Sequence, residues 1–218
     1  MEKKERGLKR TVIGLYLAYY LVLIYAFYRN ARLQDMTALM LGFVAMLTPW
    51  IVPVVFRLFK LKRIYEIDIL NIIFVFFASL VGSCLSGYAL PYFDKVVHFA
   101  SGLLLCQVVY MLYSLISKRR EPTSPEERRL VLCFNFVGNG FVALLWEFYE
   151  YAMLVFFNYD CIKHFSTGVH DSLTDMLAGT LGGLVMCLCY YQAFHSGKDN
   201  FFTRLHNRFY DANIQKNA

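Results

Sequence analysis

Six long stretches of the chain contain no charged residue and are rich in aliphatic and aromatic side chains. Each approaches the roughly 20 residues that span the hydrocarbon core of a bilayer. Because unpaired backbone groups are costly in lipid, such stretches must form helices, whose hydrogen bonds are internal. The sequence therefore predicts an all-α membrane protein, a six-helix transmembrane bundle. Its helices are expected at residues 11–28, 36–56, 69–90, 96–116, 130–157 and 173–194.

Only 17% of the residues are charged, against about a quarter in an average soluble domain. The connections between the apolar stretches are short, so a separate soluble domain has no room beside the helices. We therefore expect a single polytopic membrane domain that covers residues 1–218. Most of the cysteines lie inside apolar helices, where cysteine behaves as a small hydrophobe, and no structural disulfide is expected.

Lysine and arginine are distributed unequally between the connections. The two tails, the second connection and the fourth connection hold 18 of the 22, and the other three connections hold the rest. Connections rich in lysine and arginine stay in the cytoplasm, which predicts cytoplasmic amino and carboxyl termini and a cytoplasmic tail at residues 196–218. The net charge of +6 follows from this topology. The expected partner is the lipid bilayer, and no nucleic acid is expected.

Three pairs of ionisable residues lie at one end of three different helices. The pairs are Asp94 with His98, Glu147 with Glu150, and Asp171 with Asp175. Their spacing of three or four residues makes the members of each pair face one direction. At 1.5 Å per residue, each pair lies roughly 25–30 Å from the cytoplasmic end of its helix. Since ionisable groups within a membrane are usually kept for function, the sequence predicts a polar site near the extracytoplasmic face.

Five carboxylates and a histidine in one pocket would need a compensating cation or raised pKa values. A bound divalent metal is the simplest solution, which makes all six residues candidate metal ligands. Oxygen-rich ligation with one imidazole suits Zn²⁺, Mn²⁺, Mg²⁺ or Ca²⁺. Other interpretations stay open: Asp94 and Asp171 could be helix N-caps, and salt bridges to residues such as Lys163 could neutralise one or two carboxylates.

Neighbouring polar residues allow further interpretations. His98 could be an interfacial histidine with a satisfied hydrogen bond, and Ser101, on the same face, could be a nucleophile or a packing residue. His164 and His170 could add a ligand from the outer connection. Asn139 and Asn135 are expected to hydrogen-bond to neighbouring helices.

Two further patterns concern helix packing. Small residues four apart, such as Gly179 and Gly183, let helix backbones approach in lipid, and we favour packing within the bundle over a dimer interface. Pro49 and Pro53 predict a kink in the second helix.

The segments FDKVVHFASG, WEFYEY and DSLTDMLAGTLGG resemble signature segments of the YjdF-like bacterial inner-membrane proteins and, more distantly, of the VanZ-like group. The VanZ-like Asp-Lys-x-x-His-Phe segment matches residues 94–99, and its final motif matches at Asp175 and Gly182. That group has Gln where this chain has Glu150 and Asn where it has Gly179, so the YjdF-like resemblance is closer. The resemblance covers about residues 65–190. It implies a protein of the bacterial cytoplasmic membrane with an outward-facing polar site.

The leading hypothesis is a site that hydrolyses or modifies a lipid or cell-envelope substrate. In this mechanism a metal activates water, Glu147 or Glu150 is the general base, and His98 donates a proton. The alternative is a non-enzymatic binding or resistance protein that captures a cationic headgroup, drug or peptide. An ion-coupled transporter is less favoured, because the inner parts of the helices contain no ionisable residue.

Overall fold

The computed structural model describes residues 2–215, and every regular element in that part of the chain is helical. The elements are α1 (Glu2–Arg32), α2 (Met36–Leu47), α3 (Ile51–Leu58), α4 (Tyr65–Val75), α5 (Phe93–Ser117), α6 (Pro125–Phe157), α7 (His164–Thr167), α8 (His170–Ser196) and α9 (Phe201–Asn213), with 3-10 turns at Thr48–Trp50 and Gly87–Ala89 and a π-helical segment at Phe76–Cys84. Six spans are long and apolar enough to cross a membrane. The all-α class with six spans is therefore confirmed. Residues 216–218 of the predicted tail lie outside the described residues.

The chain divides between Val97 and His98 into two compact units. The boundary falls in the first turns of α5, which is one continuous helix. In the first unit, side chains from α1, α2, α4 and the π-helical segment form the buried core, including Tyr19, Ala45 and Leu80.

The second span is interrupted at Pro49, as the sequence predicts, whereas Pro53 lies inside α3. Proline has no N–H, so Pro49 and Pro53 cannot donate to the carbonyls four residues earlier. The carbonyl oxygen of Ala45 instead accepts a hydrogen bond from the Tyr19 hydroxyl over 2.7 Å, and that of Pro49 accepts one from Tyr16 over 2.9 Å. Side chains of α1 therefore satisfy both carbonyls, which lipid could not do.

The third span differs from the regular helix that the sequence predicts at residues 69–90. It begins at Tyr65, and beyond Val75 it continues as the π-helical segment. Ser86 then adopts a positive φ of 64°, and the span ends. The carbonyl of Cys84 accepts a hydrogen bond of 2.8 Å from the Asn30 side chain. A side chain of α1 therefore also satisfies a backbone carbonyl at the end of this span.

In the second unit, α5, α6 and α8 approach one another at glycines. A Cβ atom at Gly102 of α5 would collide with the carbonyl oxygen of Gly179 of α8, and one at Gly182 would collide with that of Phe99. Gly183 lies against the side chain of Asn139 on α6. Small residues permit such backbone contacts in lipid, and the predicted packing within the bundle is confirmed for α8.

Asn135 and Asn139 of α6 differ in their hydrogen bonding. Asn139 donates to the Gly179 carbonyl over 3.0 Å, as predicted. Asn135 is fully buried, but neither atom of its amide has a protein partner, so the predicted hydrogen bond to a neighbouring helix is wrong for this residue.

The tail after α8 folds back onto the second unit. Gly197, with a φ of 65°, ends α8, and a capping box between Asn200 and Thr203 begins α9. His206 of α9 is fully buried, and its ring stacks on Tyr110 of α5 with centroids 3.7 Å apart. α9 is therefore part of the folded unit.

Candidate functional site

Three of the six candidate ligands come together at one end of α5 and α8. Asp94 and His98 lie one turn apart in the first turns of α5, and Asp175 lies one turn inside α8. Each offers one ligand atom, and these atoms all lie within 4.8 Å of one another. Two carboxylates and an imidazole at this separation could hold a metal ion.

The best-defined distance in this cluster joins His98 and Asp175. The imidazole Nε2 lies 3.6 Å from the carboxylate Oδ1, and the Asp175 side chain is only 2% exposed. This separation is too long for a direct hydrogen bond. It is close to the roughly 3.4 Å between two ligand atoms of a tetrahedral metal with bonds of about 2.1 Å. A cation between these atoms would therefore need little rearrangement of the pair.

Glu147 reaches the same region from α6. Its side chain is buried, with 7% exposure, and its Oε2 has no protein hydrogen-bond partner. The carboxylate interacts electrostatically with His98 and Asp175, and the side chain of Ser172 lies near it. Ser172 was not a candidate from the sequence. Its position three residues before Asp175, on the same helical face, was the signal that would have identified it.

Asp171, one turn before Asp175 on α8, is also buried, but it forms a salt bridge. Its carboxylate lies 3.2 Å from the ammonium of Lys163, the salt bridge that the sequence offered as an alternative to metal ligation. The N-cap residue of α8 is Val169, and α5 begins at Phe93. Asp171 and Asp94 therefore both lie in the first turns of their helices, and neither is the N-cap residue.

Glu150 is directed differently from Glu147. It is half-buried, and its Oε1 accepts a hydrogen bond of 3.0 Å from the indole of Trp146, one turn earlier on α6. It does not belong to the group of Asp94, His98 and Asp175. The structure thus brings Glu147, but not Glu150, to the buried side of α6.

Ser101, His164 and His170 were further candidates from the sequence. The hydroxyl of Ser101 donates to the carbonyl of His98 over 2.7 Å, which is a bond within α5. His164 and His170 are exposed.

Burial raises the pKa of the Cys161 thiol, in the connection before α7, to about 12, so this thiol is a poor nucleophile at neutral pH.

These features define a polytopic helical membrane protein with a partly buried cluster of two carboxylates and a histidine. The family model described as "Predicted membrane protein (DUF2238)" matches residues 11–196, and the chain belongs to that family. No curated protein and no solved structure matches the chain.

Proposed function

We propose that this protein binds a divalent cation through Asp94, His98 and Asp175 and uses it to hydrolyse an amphiphilic lipid or cell-envelope substrate. The convergence of these three ligand atoms within 4.8 Å carries the proposal. The positive-inside distribution of lysine and arginine supports cytoplasmic termini and a site at the outer face. The YjdF-like and VanZ-like resemblance supports a place in the bacterial cytoplasmic membrane.

The donor set favours some metals over others. One imidazole with two carboxylates supplies three ligands to a zinc or manganese ion and leaves a position for water. Ca²⁺ prefers six to eight oxygen ligands, which three side chains do not provide. We therefore propose Zn²⁺ or Mn²⁺ as the resident ion.

Glu147 is the proposed general base. A divalent cation makes a bound water acidic enough to ionise near neutral pH. The Oε2 of Glu147 has no protein hydrogen-bond partner, and the carboxylate interacts electrostatically with His98 and Asp175, so we assign it the role of accepting that proton. In this arrangement His98 would hold the cation through one imidazole nitrogen, and it would not be the proton donor that the sequence suggested.

The surroundings suit a substrate that lies partly in lipid. Trp146, Phe148 and Tyr149 are exposed on α6 next to Glu147. Aromatic residues of this kind collect at the interface between lipid and water. A molecule with an acyl chain could reach the cluster from the side without leaving the membrane.

Metal analysis and product analysis test the proposal together. The purified protein, stripped with chelator and reloaded, should hold about one Zn²⁺ or Mn²⁺ per chain, and Asp175→Asn should lose it. Glu147→Gln should keep the ion but release product from envelope lipids at least about 100-fold more slowly. Glu150→Gln, three residues away, is the matched control and should change neither property. An absence of stoichiometric metal in the wild-type protein would contradict the proposal.

A binding function without catalysis is the second candidate. The salt bridge between Lys163 and Asp171 shows that an ammonium group fits against a buried carboxylate in this region. A cationic headgroup, drug or peptide could be held in the same way. Binding of dodecylamine to metal-free protein, abolished by Asp175→Asn and accompanied by no lipid turnover, would favour this function over the hydrolase.

A further inference from the structure

Two cysteine side chains meet between α5 and α8, inside the second unit. The sulfur atoms of Cys106 and Cys187 lie 3.8 Å apart, and the two residues are 0% and 8% exposed. They are 81 positions apart in the chain, so only the fold brings them together. All six cysteines of the chain, including these two, are free thiols.

The glycine contacts between α5 and α8 explain why these two cysteines meet. A Cβ atom at Gly102 would lie 3.0 Å from the backbone nitrogen of Gly183, so the two backbones touch at this point. Cys106 follows Gly102 by four residues, and Cys187 follows Gly183 by four residues. Residues four apart lie on the same face of a helix. The two thiols therefore occupy the next turn of the same helix contact.

The separation of the two sulfur atoms is short enough for a disulfide bond to form without a change of fold. A disulfide joins its sulfurs at about 2.05 Å, so from 3.8 Å they would have to approach by about 1.8 Å. Rotation of the two side chains about their Cα–Cβ bonds can supply a movement of this size.

We propose that Cys106 and Cys187 form a reversible disulfide, which locks α5 to α8 when the membrane contains a hydroperoxide. The two cysteines belong to a buried cluster with Val131, Met186 and Tyr190. Charged oxidants such as glutathione disulfide are excluded from surroundings of this kind. A hydroperoxide is uncharged and can enter the lipid around the helices, so we assign it the role of oxidant.

The reaction begins at Cys187, because this residue retains some exposure and Cys106 has none. The Cys187 sulfur attacks one oxygen of hydrogen peroxide. The O–O bond breaks, the S–O bond of a sulfenic acid forms, and the thiol proton leaves with the other oxygen as water. The Cys106 sulfur then attacks the sulfenic sulfur. The S–S bond forms, the S–O bond breaks, and the hydroxyl leaves with the Cys106 proton as a second water. The two thiols together lose the two electrons that reduce the peroxide.

The disulfide holds the two helices at the register that the glycines set. A cross-link between positions so far apart in the chain removes conformations mainly from the unfolded state, and this stabilises the fold. Since α5 and α8 also carry His98 and Asp175, the bond restricts changes in the distance between those side chains. Formation of the disulfide does not depend on the proposed metal site.

Thiol counting by mass spectrometry tests the proposal on the full chain in detergent. The reduced protein, denatured and treated with N-ethylmaleimide, should take up six labels, one for each cysteine. Protein treated with hydrogen peroxide before denaturation should take up at least two fewer, and peptide mapping should show Cys106 linked to Cys187. Dithiothreitol should remove the link. Absence of this link in the peroxide-treated protein would overturn the proposal, and this measurement needs no variant.

Thermal unfolding of matched variants provides an independent measurement. Peroxide should raise the unfolding midpoint of the wild-type protein by at least about 5 °C. Cys84→Ala, which removes another fully buried cysteine, should show the same rise. Cys106→Ala and Cys187→Ala each leave one thiol without its partner and should show none. An equal rise in all four proteins would contradict the lock, because the stabilisation would then come from another reaction of the peroxide.

Discussion

His98 Nε2 and Asp175 Oδ1 lie 3.6 Å apart, although the two residues belong to different helices. Their distance depends on the register between α5 and α8. That register is set where the backbones touch, at the contacts of Gly102 with Gly179 and of Gly182 with Phe99. The geometry of the cluster is therefore determined one to two turns below it, by residues that carry no functional group.

Gly182→Ala should disturb both packing and metal binding. Its Cβ would collide with the Phe99 carbonyl, and overpacking of this kind costs about 1–3 kcal/mol. Gly179→Ala is the matched control, since its Cβ would lie 3.6 Å from the nearest atom, the His98 carbonyl oxygen, at ordinary contact distance. Thermal unfolding and zinc titration of both variants measure the difference. Equal behaviour of the two variants would show that the register is set elsewhere.

The two aspartates of α8 should contribute unequally to metal binding. Asp175 belongs to the group that could hold an ion, whereas Asp171 is paired with Lys163. Asp175→Asn should lower the affinity for Zn²⁺ by at least about 100-fold, and Asp171→Asn by less than about threefold. Isothermal titration of the metal-free protein provides both values. A larger loss in Asp171→Asn than in Asp175→Asn would place the ion at the outer aspartate instead.

Asn135→Leu should stabilise the protein. The amide of Asn135 is fully buried, and neither of its polar atoms has a protein partner. Burying an amide without hydrogen-bond partners costs about 1–3 kcal/mol of desolvation free energy, and an apolar side chain of similar size avoids this cost. Asn139→Leu, one turn further along α6, should destabilise because it removes the bond to Gly179. Thermal unfolding in detergent compares the two. A lower midpoint for Asn135→Leu would mean that its amide is satisfied in solution.

The packing of α9 should weaken in acid. Burial, assisted by the charge of Arg120, lowers the pKa of His206 from 6.5 to about 4. Above pH 6.5 the imidazole is neutral in the folded and unfolded states, and its contribution to stability is complete. As the pH falls from 6.5 toward 4, only the unfolded imidazole takes up a proton. Stability on the order of 3 kcal/mol is then lost progressively.

Hydrogen exchange of α9 at pH 7 and pH 5, corrected for the intrinsic rate, measures this loss. Protection should fall at pH 5 in the wild-type protein and in His195→Ala, which removes an exposed histidine of α8. In His206→Phe, which cannot titrate, protection should be the same at both values. Unchanged protection of wild-type α9 at pH 5 would show that His206 does not titrate in this range.

The sequence predicted the six spans because each apolar stretch has the length that a bilayer requires. It also predicted the break at Pro49, since a missing N–H is a local property. The π-helical segment at Phe76–Cys84 could not be predicted in the same way, because its hydrogen-bond register depends on tertiary packing. The burial of His206 was missed as well. Its position between Leu205 and Phe209, both also buried, shows that α9 has a buried face which the polar composition concealed.

From the sequence, a common depth could be predicted for the three ionisable pairs, but the direction of each side chain could not. Counting residues along α5, α6 and α8 places the three ionisable pairs in one layer. Which members face one another depends on the rotation of each helix about its axis, and contacts such as that of Gly182 with Phe99 fix it. Glu150 and Glu147 are only three residues apart, yet Glu150 bonds to Trp146 while Glu147 is buried near Asp175.

The 33 residues of α6 give it a length of about 50 Å, whereas the apolar interior of a bilayer is about 30 Å thick. Even when tilted, this helix extends past the acyl chains. Its charged first turn, with Arg128, is expected at the level of the lipid phosphates. A lipid could therefore bring its headgroup to that turn by lateral diffusion within the leaflet. Its acyl chains would stay among those of the neighbouring lipids.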